Sequence, residues 1–139
     1  MNLADEVVLR AKKFGYENPQ QMSHLSRLVS SVSDEEAVVA LLSIFSNAQE
    51  SEESFPEQKM AGLLLWYSGC KCLIDPVDVI RSLLPNWNLS VKEIPWFLCR
   101  QLGTEMVESS IDKVRSEQTG SGNDRLLDTL SFWVRNYEN

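Results

Sequence analysis

The chain has 139 residues, of which 43% are hydrophobic and 24% are charged, and this composition is typical of a single soluble globular domain spanning residues 1–139. Its net charge is −7, and Lys12 and Lys13 form its only basic cluster. These features argue against binding to nucleic acid or to an anionic membrane, and they favour a basic protein partner. The longest strongly apolar run, MAGLLLWY, is far shorter than the roughly 20 residues that a membrane span needs.

Two amphipathic helices are predicted at the start of the chain. Apolar residues recur every three or four positions from Leu3 to Phe14, and Gly15 follows where such a helix would end. Pro19 is suited to the first position of a second helix. That second helix carries an apolar stripe made of Met22, Leu25, Leu28 or Val29, and Val32.

The stretch SVSDEEAVVALLSIFSNAQ predicts a third helix. Ser33 and Glu36 have the spacing of a capping box, and the acidic residues of the first turn complement the positive end of the helix dipole. Residues 37–45 are apolar on nearly every side, which predicts a central, buried helix.

A fourth and a fifth helix follow the acidic connection QESEESFPEQ. Pro56 suits the first turn of the fourth, which is apolar most of the way round until Gly69 ends it. Asp75 is placed to cap the fifth helix, with Pro76 in its first turn.

The start of a sixth helix has two possible positions. Ser90 and Glu93 have capping-box spacing, but a helix beginning at Ser90 would place Pro95 where its missing N–H costs a hydrogen bond. A start nearer Ile94 would avoid that cost.

Thr104 and Asp124 are placed to open two further helices, and no segment shows the alternation of a strand. Seven to eight short helices therefore predict an all-α domain. The roughly regular spacing of helix starts favours a short α-α superhelix of the helical-repeat kind, whereas the lack of a repeated sequence signature favours an irregular bundle. Both arrangements are compatible with the pattern.

The cysteines do not have the spacing of a metal site. Cys70 and Cys72 are separated by one residue, whereas zinc sites use pairs two to four residues apart, and the only other candidate ligands of this kind are Cys99 and His24. We expect the Cys70–Cys72 stretch to be a helix end followed by a connection, with one thiol packed in the core and the other facing out. No metal or other cofactor is predicted.

No catalytic signature is present either. His24 has no associated nucleophile motif, and the chain lacks a glycine-rich phosphate loop. Glu105, Glu108 and Asp112 recur on one face of the seventh helix, but without Glu-x-x-His partners on other helices they predict a solvated surface. We therefore predict that the chain is not an enzyme.

Two groups of residues are candidates for binding a protein. The acidic residues of the third connection and the start of the fourth helix would attract a basic partner; they are Glu50, Glu52, Glu53 and Glu57. Trp87 lies between helix breakers and Trp96 follows Pro95, so both could be surface anchors. The alternative for Trp87 is that it folds back to fill a gap between two helices.

These observations favour a small acidic protein-binding module in the cytoplasm, either an adaptor or an inhibitor of the immunity-protein type. One alternative is a structural homo-oligomer that buries the stripe formed by Val107, Ile111 and Val114 against a copy of itself. Another is an enzyme or metal protein that uses His24 and the cysteines.

Overall fold

The computed structural model describes residues 2–47, 54–84, 86–117 and 122–137. The regular secondary structure of these residues is helical, with no strand among them. The all-α prediction is confirmed. The eight helices of the described residues are α1 (Leu3–Phe14), α2 (Pro19–Ser30), α3 (Asp34–Asn47), α4 (Phe55–Ser68), α5 (Pro76–Leu83), α6 (Glu93–Leu102), α7 (Thr104–Glu117) and α8 (Asp124–Arg135). None of these helices is both long and apolar enough to cross a membrane.

Several helix ends form where the local sequence predicts them. The hydroxyl of Ser33 accepts a hydrogen bond of 3.1 Å from the N–H of Glu36, and the Asp75 carboxylate accepts one of 2.9 Å from the N–H of Val77. These bonds satisfy N–H groups that have no partner within the helix. Gly69 ends α4 in the left-handed conformation, with φ of 67°.

In the structure, α6 begins near Ile94, the second of the two predicted positions, and not at Ser90. The Ser90 capping box does not form: its hydroxyl donates to the side-chain oxygen of Asn88 at 2.6 Å, and the Glu93 carboxylate accepts from Lys59 Nζ at 2.7 Å. The helix begins at Glu93, so Pro95 lies in the first turn. No hydrogen bond is lost there, because first-turn N–H groups have no acceptor within the helix.

The helices pack as two rows. The odd-numbered helices form one row, in which α1 contacts α3, α3 contacts α5, and α5 contacts α7. The even-numbered helices form the other, in which α2 contacts α4, α4 contacts α6, and α6 contacts α8. Stacked helix pairs of this kind build α-solenoids, so the packing resembles a short α-α superhelix.

The core lies between the two rows and is closed by large apolar side chains. The largest fully buried ones include Phe45, Leu41, Met60, Leu64, Ile80 and Phe97. The third helix is less enclosed than its composition predicts, since Val39 is 51% exposed. This exposed valine lies on the surface of the odd-numbered row.

Candidate functional site

A groove of about 1020 Å³ is lined by α1, α2, α3 and the short connection between α2 and α3. Its apolar lining consists of Leu3, Ala4, Leu28, Val32, Val39 and Ala40. None of these side chains belongs to the fully buried core, and all but the more exposed Val39 are half-buried. The groove therefore presents apolar surface to solvent in a concave form, which is the usual character of a binding site.

Carboxylates and one arginine make up the charged lining of the groove. Glu35 and Glu36 lie in the first turn of α3, and Glu6 lies on α1. The guanidinium of Arg10 donates to the Glu6 carboxylate at 2.9 Å and to the side-chain oxygen of Gln21 at 2.8 Å. The Glu6 charge is thus compensated, whereas Glu35 and Glu36 form no ion pair with any described residue.

A second, smaller groove of about 270 Å³ lies on the other side of α3, between that helix and α5. Val39 and Ser43 line both grooves. Two adjacent depressions therefore flank α3, with Val39 on the ridge between them. Solenoids built from helix pairs commonly use extended surfaces of this kind to bind other proteins.

His24 lines the larger groove from α2. Within the described part of the chain, its imidazole forms no hydrogen bond to a hydroxyl or a carboxylate, although a nucleophile and its base would need such a bond. The lining of the groove offers apolar contact and negative charge to a molecule that enters it.

The predicted acidic surface is only partly described. Glu50, Glu52 and Glu53 lie outside the described residues. Glu57 is not on the surface: it is 8% exposed and lies 3.4 Å from Lys12 Nζ. Its position in the first turn of α4, which packs against α1, explains this burial.

Trp87 does not project from the surface. It is 4% exposed, and its indole N–H donates to the carbonyl oxygen of Val91 at 3.2 Å. The surface interpretation is therefore wrong, and the alternative, in which the ring fills space between helices, agrees with the structure. The polar neighbours Asn86 and Asn88 suggested an exposed position. Their backbone groups are instead hydrogen-bonded to the side chain of Gln58 on α4, which holds this connection against the helices.

Trp96 is half-buried within a cluster of aromatic rings. Its ring centroid lies 5.9 Å from that of Trp66 and 6.3 Å from that of Trp133, and Lys92 Nζ lies 4.7 Å from it. These contacts account for its position by packing and a cation–π interaction. A binding role for Trp96 stays a prediction.

The cysteines are all buried. Cys70 and Cys72 are 5% and 9% exposed, so the expectation that one thiol faces out is wrong. Lys71 between them is exposed, so consecutive residues of this connection face opposite sides. Among the residues that the structure describes, no three His, Cys, Asp or Glu side chains come together in a way that could hold a metal ion.

Burial raises the pKa of the Cys99 thiol from its ordinary value of 9.0 to about 11. We expect native Cys99 to react with a disulfide reagent at pH 8 about a hundredfold more slowly than an exposed thiol, because so little of it is thiolate. The rate is measured in a Cys70→Ala, Cys72→Ala variant, in which Cys99 is the sole thiol. Reaction at the rate of the unfolded protein would contradict the buried position.

The raised pKa of Cys99 also makes the stability of the fold depend on pH. Since the unfolded thiol ionises at lower pH than the folded one, the contribution of Cys99 to stability is complete below pH 9 and is lost as the pH rises through about 11.

The apolar stripe proposed for self-assembly is not exposed. Val107, Ile111 and Val114 are each 0% exposed, since α7 turns this face towards the core and packs against α5, α6 and α8. A homo-oligomer cannot form through this stripe without unfolding the domain.

Sequence reasoning did not identify the larger groove. Its lining comes from three separate helices, so no single stretch of the sequence contains it. One feature of the sequence pointed to it: residues 37–45 of the third helix are apolar on nearly every side, more than a single buried face requires. The chain matches no protein-family model, no curated protein and no solved structure.

Proposed function

We propose that this chain is an acidic protein-binding module, an adaptor or an inhibitor, that receives its partner in the groove between α1, α2 and α3. The observation that carries the proposal is the concave, half-exposed apolar lining beside the carboxylates of Glu35 and Glu36. Apolar area removed from water contributes roughly 25 cal/mol per Å² to association, before the entropic costs of binding.

The net charge of −7 supports a basic partner, because complementary charge speeds encounter and disfavours acidic competitors. We also place the protein in the cytoplasm. Three cysteines that form no disulfide fit a reducing compartment.

A single substitution in the groove tests the proposal. Changing Val39 to aspartate places a charge on the ridge that lines both grooves, and we expect a captured protein partner to be lost or weakened at least tenfold. The measurement is affinity capture from lysate with wild-type and variant baits, followed by titration of the captured protein against each bait.

Leu9→Asp is the matched control. Leu9 is 50% exposed, nearly the same as Val39 at 51%, but it does not line the groove. If both variants retain the partner, the groove is not the binding surface, and Glu50, Glu52 and Glu53 become the next residues to reverse in charge. If wild type captures nothing and instead sediments as a larger species at higher concentration, self-assembly replaces the proposal.

A further inference from the structure

The shape of the groove restricts how a protein segment can bind. Its long walls are α1, which lines it from Leu3 to Arg10, and α3, which lines it from Glu35 to Ser43; these stretches span about 12 and 14 Å at 1.5 Å per residue. Its volume of about 1020 Å³ is just above the roughly 300–1,000 Å³ typical of small-molecule pockets. These dimensions suit a segment of just over two helical turns that lies along the two walls.

The backbone of the groove walls cannot pair with an extended strand. Addition of a strand requires a sheet edge with unpaired N–H and C=O groups, and the walls are helices whose backbone groups are bonded internally. A helix satisfies its own backbone hydrogen bonds, so it can enter such a groove with only its side chains making contact.

The side chains of the groove disfavour two other modes of recognition. Proline-rich segments bind in grooves lined by aromatic rings, and no Phe, Tyr or Trp is among the residues lining this groove. Phosphorylated and acidic segments require clusters of arginine, but the single arginine here, Arg10, is engaged by Glu6 and Gln21.

The negative charge of the groove favours basic residues beside the apolar stripe of a bound helix. Three carboxylates and one guanidinium line it, so its net charge is −2 with His24 neutral. Asp34, by contrast, is engaged elsewhere, since its carboxylate accepts from the N–H of Lys71 at 3.0 Å. Glu35 and Glu36, which pair with no cation among the described residues, are adjacent in the first turn of α3, where they could each meet a lysine or arginine.

Resting on the proposed function, we infer that the occupant of this groove is a basic amphipathic helix of the partner protein. Its apolar residues at positions i, i+3, i+4 and i+7 would contact the side chains of Leu28, Val32 and Val39. Lysine or arginine beside that stripe would pair with Glu35 and Glu36.

The test uses a synthetic 14-residue peptide with leucine at those positions and lysine elsewhere, labelled for fluorescence anisotropy. We expect saturable binding that induces helix in the peptide and weakens with salt. A peptide with glutamate in place of every lysine should bind at least tenfold more weakly. Equal binding of the two peptides would overturn the assignment of a basic helix.

Charge reversal of the protein supplies the matched comparison. Glu35→Lys with Glu36→Lys should weaken binding of the lysine peptide at least tenfold. Glu105→Lys with Glu108→Lys changes the net charge by the same amount, but on the exposed surface of α7, outside the groove. This control should change the affinity for the lysine peptide less than about threefold, because salt screens distant charges. Equal losses in the two variants would show non-specific attraction and overturn the inference.

Lysine in the first turn of α3 also opposes the helix dipole, so Glu35→Gln with Glu36→Gln provides a gentler variant in case the reversal fails to fold. It should still weaken binding, and full retention would overturn the inference. The two proposals fail differently. If a captured partner is lost with Val39→Asp but is unaffected by these charge changes, the groove is still the binding site and the inference of a basic helix is wrong.

Discussion

Replacing Lys59 with methionine should lower the free energy of unfolding by about 3 kcal/mol, because it leaves the Glu93 carboxylate buried without its partner. The ammonium of Lys59 lies 2.7 and 2.9 Å from the two oxygens of that carboxylate. The side chains are only 18% and 7% exposed, so water cannot fully replace the lost interaction. The measurement is urea denaturation followed by circular dichroism at neutral pH.

The double variant Lys59→Met, Glu93→Leu is the control for this prediction. Removing both charges leaves neither group unpaired, and an apolar pair of similar volume often matches a buried ion pair in stability. We expect the double variant to recover to within about 1 kcal/mol of wild type. A single variant as stable as wild type would mean that Glu93 reaches water, and that the contact between α4 and α6 does not depend on this pair.

The second large effect is expected from Gln58→Leu, which should destabilise the fold by about 2–5 kcal/mol. Gln58 is 0% exposed, its amide donates to the carbonyl oxygen of Asn86 at 2.7 Å, and its side-chain oxygen accepts from the N–H of Asn88 at 2.7 Å. Leucine fills similar space, but it leaves the carbonyl oxygen of Asn86 and the N–H of Asn88 without the partners that Gln58 provides. The loss is measured by thermal and denaturant unfolding.

The same substitution at an exposed glutamine separates this effect from a general response to leucine. Gln20 lies exposed near the start of α2, and Gln20→Leu should change stability by less than about 0.5 kcal/mol. If Gln58→Leu costs no more than this, the connection that holds Trp87 must find other hydrogen-bond partners, and the role assigned to Gln58 is wrong.

Most helix boundaries could be predicted because they depend on neighbours in the sequence. The caps at Ser33 and Asp75 bond to N–H groups two or three residues away, and Gly69 ends α4 through its own backbone conformation. Interactions of this range are present whenever the segment forms a helix. The same reasoning was wrong about the Ser90 capping box because Glu93 pairs with Lys59, 34 residues away.

The residues suited to binding were much less predictable. Trp87 and Glu57 have polar neighbours in the sequence and were candidates for a binding surface, but helix packing buries both. Val39, in contrast, was expected in the core and lies exposed on the ridge between two grooves. Apolar composition predicts that a residue will be buried somewhere, but it does not predict which neighbouring helix will cover it.

The sequence by itself therefore determined an all-α chain, the ends of most of its helices and an acidic surface charge. Only the tertiary structure decided the stacking of the helices in two rows and the groove between α1, α2 and α3. The physical reason is distance along the chain. Caps and helical periodicity act over about four residues, whereas row packing and the groove depend on side chains from separate helices meeting after the chain has folded.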